Sequence, residues 1–190
     1  MTTQRTVLVV PGSSGCWHVP QQLFAADAAR MRGAQMLYVS WSGEVPPEPA
    51  ARGPWAVEQI TAALRGLPRP LIIAYSLGTL AADLAADYEL PAIWIAPLLH
   101  RAEVVEGIRR ACAPCLLVGG TADSSWRPEL ARELSPHVFE VEGGDHGLRV
   151  PGPLAGSAAV LGQMATAIEE FLDRVLWPAP SPPCPLTDES

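Results

Sequence analysis

Short apolar runs rich in Val, Ile and Leu recur along this chain, separated by stretches long enough for a helix. The first is Thr6-Val7-Leu8-Val9-Val10, which stops at Pro11-Gly12. Met36-Leu37-Tyr38-Val39, Leu71-Ile72-Ile73-Ala74, Ala92-Ile93-Trp94-Ile95-Ala96, Cys115-Leu116-Leu117-Val118 and His137-Val138-Phe139-Glu140-Val141 follow. Most are continuous rather than alternating, which suits strands buried on both faces of a parallel sheet. Between them, Pro20 stands where a first helical turn begins, and Leu23, Phe24, Ala28 and Met31 then share a helix face before Gly33. A Pro-rich loop is expected over Gly43 to Pro54, then helices over Trp55–Leu64, Leu77–Ala86, Ala102–Ala111 and Pro128–Leu134. A last helix carries Leu154, Leu161, Met164, Ile168, Phe171, Leu172 and Val175. The alternation predicts an α/β three-layer sandwich of about six mostly parallel strands, with helices on both faces and right-handed crossovers.

A chain of 190 residues, 48% apolar and 17% charged, has the length and the core material for one such domain, expected over residues 1–177. Residues 178–190 hold five prolines and no apolar spacing, and are expected to form a disordered tail. The net charge of −7, with no basic stripe, argues against nucleic acid or an anionic membrane as partner. No apolar run reaches the roughly 18 residues that span a bilayer, and no signal peptide is expected ahead of the first strand. The expectation is therefore a cytoplasmic protein. Cys112-Ala-Pro-Cys115 has CxxC spacing but precedes a strand instead of opening a helix, and no second Cys or His pair accompanies it.

The strongest local signal is Ala74-Tyr75-Ser76-Leu77-Gly78, directly after one apolar run and directly before a helix. A serine on a tight strand-to-helix turn is lifted clear of the sheet edge, and the flanking residues must be small because two backbones pass close together. The helix start behind it points amides toward a developing oxyanion. Gly119-Gly120-Thr121-Ala122-Asp123 places an acid beyond the fifth strand, and Gly143-Gly144-Asp145-His146-Gly147 a histidine beyond the sixth. Parallel strands bring their carboxyl ends to one crevice. There a histidine can make a serine nucleophilic, and a carboxylate can hold the histidine's tautomer. Asp123 is the expected orienting acid and Asp145 its rival.

The order Ser76, Asp123, His146, together with Val10-Pro11-Gly12-Ser13-Ser14 after the first strand, resembles the α/β-hydrolase superfamily over residues 5 to 176. Only sixteen residues separate Pro97 from Pro114, where larger relatives insert a cap domain. The chain thus resembles the small lidless serine hydrolases typified by retinoblastoma-binding protein nine. That resemblance implies a nucleophile at Ser76 and an oxyanion hole from the amides of Leu77 and Ser13, with Ser14 as the other possible second donor. It implies a small-molecule ester or thioester substrate, free or carrier-bound, and no metal or organic cofactor. The same triad also serves acyltransferases, cyclases and lyases of bacterial pathways, and the fold also hosts non-catalytic binding proteins. The Ala/Pro/Arg-rich usage matches a GC-rich bacterial genome.

Ser14, Trp17, His18, Trp41, Tyr75, Leu98 and Trp126 fall near the expected crevice edge and are candidate substrate-binding residues. For Trp17 and His18 the competing reading is packing against the first helix.

Overall fold

A computed structural model describes residues 4–178; the tail expected from 178 onward therefore lies outside the described residues except for Pro178. The chain runs β1 (Thr6–Val10), α1 (Pro20–Arg30), β2 (Gln35–Tyr38), α2 (Pro49–Leu64) and β3 (Leu71–Tyr75). A 3₁₀ turn (Ser76–Ala81) and α3 (Ala82–Asp87) lead to β4 (Ala92–Ile95), α4 (Ala102–Arg110), β5 (Cys115–Gly120), α5 (Pro128–Leu134), β6 (His137–Val141) and α6 (Leu154–Phe171). The last turn, Leu172–Leu176, widens to a π-helix.

The strands form one six-stranded sheet in the order β2-β1-β3-β4-β5-β6, with every pair parallel. Successive side chains of a strand face opposite ways, so each apolar run feeds two cores. Val7, Val9, Ile73, Ile93, Ile95 and Val118 meet Ala25, Ala29, Met164 and Ile168 of α1 and α6. Leu8, Val10, Ile72, Trp94 and Leu117 meet Ala56, Ile60, Leu84, Val104 and Ile108 on the other face. The fully buried Val, Leu, Ile and Met side chains among these contribute roughly 1.5–3 kcal/mol each.

From β1 the chain steps outward to β2, then returns past β1 to form β3. Val10 pairs with Ala74, so β1 and β3 end level with each other. Neighbouring loops diverge at such a reversal, opening a crevice at the carboxyl edge. Of the described residues between β4 and β5, α4 is the one regular element, and no cap domain is inserted there.

The helix expected from Trp55 instead begins at Pro49. Pro49 occupies the first helical position, where a missing N–H costs nothing. The Arg52 guanidinium donates to Pro46 O (2.9 Å) and Pro47 O (3.0 Å), securing the entry. Pro54 is accommodated inside the helix on an exposed face. The helix expected from Leu77 is likewise split, its first five residues, Leu77 to Ala81, wound into the 3₁₀ turn.

Gly162 lies on the exposed side of α6, with nothing within 4 Å of the place a Cβ would take. Gly162→Ala is expected to stabilise the protein by about 0.5–1 kcal/mol, because alanine loses less backbone entropy in a helix. Urea denaturation measures it, and a lower stability would contradict this placement. No helix of the described residues is long and apolar enough to cross a membrane.

Candidate active site

β3 delivers Ser76 to the crevice in a strained conformation. Its φ is +50°, in the left-handed region that a residue with a Cβ adopts only at a cost. The surroundings impose that geometry. Thr79 Oγ1 donates to Ser76 O (2.6 Å) and accepts the Leu98 N–H (3.3 Å), tying the turn to the loop after β4. A Cβ on Gly78 would lie 2.7 Å from Val10 O and 2.8 Å from Pro11 O, so the turn presses against the end of β1. Gly12 is equally close, since a Cβ there would lie 2.9 Å from Tyr75 Cδ1 and 3.5 Å from Ser76 Cβ.

The loops after β5 and β6 bring two further groups to Ser76. His146 Nε2 lies 2.8 Å from Ser76 Oγ, and His146 Nδ1 lies 2.7 Å from Asp123 Oδ2. The other Asp123 oxygen, Oδ1, accepts the Ser125 N–H at 2.8 Å. Burial works to raise the Asp123 carboxyl, but hydrogen bonds from His146 and the Ser125 amide outweigh it and hold the carboxyl below the ordinary aspartate value. Asp145 does different work, because its Oδ1 takes the N–H groups of Gly147 (2.8 Å) and Arg149 (2.9 Å) within its own turn.

The two loops are locked together. Ala122 N–H donates to Gly144 O (2.9 Å), Thr121 N–H to Val141 O (2.9 Å) and Gly143 N–H to Thr121 Oγ1 (2.7 Å). Gly120 and Gly144 touch backbone to backbone, a Cβ on Gly120 falling 2.1 Å from Gly144 O.

Around this centre the crevice-edge residues divide. Ser13 and Ser14 are exposed on the turn after β1, which closes through Gly15 N–H to Gly12 O (3.0 Å) and Cys16 N–H to Ser14 Oγ (3.3 Å). Trp41 donates its indole N–H to Gly12 O (2.8 Å) and packs on Trp55. A cleft of about 400 Å³ lies here, lined by Ser13, Ser14, Ser40, Trp41, Glu44 and Val45. Leu98 is half-buried, its amide on Thr79. Trp17 does not line this cleft; it stacks on His18 and on Tyr38 of β2, joining the core on the α1 side, and His18 stays exposed beside it.

Trp126 is a correction. It is only 3% exposed, with its indole N–H on Glu140 Oε2 (2.7 Å) and its ring against the bare Cα of Gly119, so it supports the acid's loop from beneath. Tyr75 lies on the far side of the sheet from Trp41. It borders a second cleft, of about 460 Å³, with Val19, Gln21, Leu148, Leu154 and Leu161. Thr79 and the Ser125 amide escaped the sequence reading, because their partners are an atom of the backbone turn and a residue that matters only once the acid is folded in.

Cys115 opens β5, where burial pushes its thiol up, while Cys112 and Cys16 are exposed; all three are free thiols. Among the described residues no three His, Cys, Asp or Glu side chains are grouped to hold a metal ion.

Neither a family model nor a curated protein matches the sequence. Solved structures do match it in backbone path. Est1E from Butyrivibrio proteoclasticus superposes with a TM-score of 0.67 at 11% identity, over 90% of this chain and 88% of that one. Dienelactone hydrolase from Anabaena variabilis gives 0.65 at 17% identity, over 90% and 86% of the two chains. A thioesterase domain from the curacin biosynthetic pathway gives 0.56 at 13% identity, over 83% and 91%. The chain has the α/β-hydrolase fold.

Proposed function

We propose that the protein is a serine hydrolase that cleaves a carboxylic ester or thioester of a small molecule through an acyl-enzyme on Ser76. The observation that carries this reading is the unbroken line from Ser76 Oγ through both ring nitrogens of His146 to Asp123, at 2.8 and 2.7 Å. Ser76 Oγ attacks the carbonyl carbon while His146 Nε2 takes its proton. Asp123 keeps the other proton on Nδ1 and stabilises the imidazolium. The amides of Leu77 and Ser13 hold the oxyanion, and Ser13 is favoured over Ser14 because it follows Gly12, which abuts Ser76. His146 returns the proton to the departing alcohol or thiol, and a water then repeats the sequence on the acyl-enzyme. The fold's likeness to an esterase, a dienelactone hydrolase and a thioesterase domain supports an acyl substrate.

The test is labelling with a fluorophosphonate probe at neutral pH. The expected outcome is one adduct, located on Ser76 by peptide mass spectrometry. A folded protein that takes no label overturns the hydrolase reading and leaves a binding role on the same fold. Where label is found, hydrolysis in ¹⁸O-water separates a hydrolase from an acyltransferase, cyclase or lyase, since water's oxygen enters the acid product only in hydrolysis.

A further inference from the structure

Residues 145–149 form a turn whose hydrogen bonds close on itself. Asp145 N–H donates to Arg149 O (2.9 Å), Leu148 N–H to Asp145 O (2.8 Å), and Asp145 Oδ1 takes the amides of Gly147 and Arg149. These bonds make the turn a unit, and Leu148, 1% exposed, pins its far end in the core, but they give the His146 end no bond to the sheet. His146 rides on this turn with 40% of its side chain exposed, so packing constrains the ring on one side only. Tyr75 reaches it from β3. Its hydroxyl donates to His146 O (3.2 Å), and its ring centroid lies 5.5 Å from the imidazole. The same phenol ring fills the space beside Gly12, and Tyr75 immediately precedes Ser76.

We propose that Tyr75 is a positioning residue, a strut from β3 that sets His146 over Ser76 and bears on the turn after β1. One strand then carries the nucleophile and braces the base, in addition to the backbone bonds that join the loops after β5 and β6. The inference rests on the triad reading given above. Burial raises the Tyr75 hydroxyl above the ordinary tyrosine value, and the Asp123 and Asp145 charges add to this against the Gln21 side chain and the Arg149 charge. The phenol therefore remains a donor throughout the neutral range.

Tyr75→Phe keeps the ring beside Gly12 and removes one hydroxyl. With a p-nitrophenyl ester, kcat is expected to fall about five- to tenfold while KM stays within about twofold, as for one lost hydrogen bond acting on geometry alone. The proton on His146 Nδ1, assigned among the four histidines by its absence in His146→Ala, is expected to exchange faster with solvent in NMR spectra. Parent values of kcat together with an unchanged proton signal would overturn the inference. So would a rise in KM with that signal unchanged, which would make Tyr75 a wall of the substrate cleft. If the parent protein neither hydrolyses esters nor takes the fluorophosphonate label, the triad reading has failed. The proton signal then decides the strut by itself: faster exchange in Tyr75→Phe upholds it and no change overturns it.

Discussion

Asp123→Asn is expected to leave a folded protein whose ester turnover is lower by on the order of 10³–10⁴-fold. Both carboxylate oxygens are committed as acceptors, Oδ1 to the Ser125 amide and Oδ2 to His146 Nδ1. Asparagine has one acceptor oxygen to offer. If it serves Ser125, the NH₂ faces Nδ1 and forces the imidazole proton onto Nε2, which then cannot take the serine proton. If it serves His146, an NH₂ faces the Ser125 N–H in a site where the side chain is 3% exposed. Ser76→Ala is expected to lose at least as much, since it removes the proposed nucleophile. Asp145→Asn is the contrast. One Asp145 oxygen accepts both of its amides, so asparagine can keep both, and turnover is expected to stay within about threefold of the parent. Steady-state rates on a p-nitrophenyl ester, with near-ultraviolet circular dichroism to establish folding, measure all three. Near-parent turnover in Asp123→Asn would reject the assigned role.

The same carboxyl contributes to acid stability, and its sign is determined by the direction of its shift. Because the folded protein holds Asp123 below its ordinary value, its contribution is present above about pH 4, the unfolded range. It is lost as the pH falls through the lower folded value. The parent should therefore lose stability in that acid window, and Asp123→Asn should lose less of it, as read from urea midpoints.

Much of this arrangement was legible from local pattern, and the exceptions have a common cause. The apolar runs marked all six strands to within a residue or two at their ends. β1, β3, β4 and β5 are buried and so apolar almost throughout, while the edge strands β2 and β6, only partly buried, still carry enough apolar residues to stand out. Ser76, Asp123 and His146 were legible because each sits directly beyond such a run, where a parallel sheet collects side chains. Pro49 and Pro54 read locally as a loop, yet a helix passes through both, because the first sits at its start and the second faces solvent. Trp126 read as a crevice residue from its place after the acid. Its true position depends on Gly119, seven residues back, which leaves room for the indole inside the fold. The bond from Tyr75 to His146 spans 71 residues, and no spacing along the chain announces it. Local pattern thus placed what the strands carry, while what the loops touch required the assembled sheet.

Gly120→Ala is expected to be the most damaging single methyl group in the protein. A Cβ at this position would lie 2.1 Å from Gly144 O and 2.5 Å from its carbonyl carbon. The obstacle is backbone, so no rotamer change relieves it, and the loops after β5 and β6 must separate. Two bonds that join them, Ala122 N–H to Gly144 O and Gly143 N–H to Thr121 Oγ1, would be stretched or lost. The expected loss is about 2–4 kcal/mol of stability, typical of overpacking with broken hydrogen bonds. Turnover of the folded fraction should fall by about 10²-fold or more, since a displacement of about 1 Å between reacting groups costs that much. Gly119→Ala makes a different clash, with the Trp126 ring at 2.1 Å. There a side chain is in the way, so adding Trp126→Leu should restore part of the stability lost. The same second change should restore nothing to Gly120→Ala. Urea denaturation of the four variants, with turnover measured on each, tests the contrast. A Gly120→Ala protein with parent stability and turnover would mean that the two loops are not held together by their glycine backbones. The acid and the base would then owe their alignment to the side chains alone.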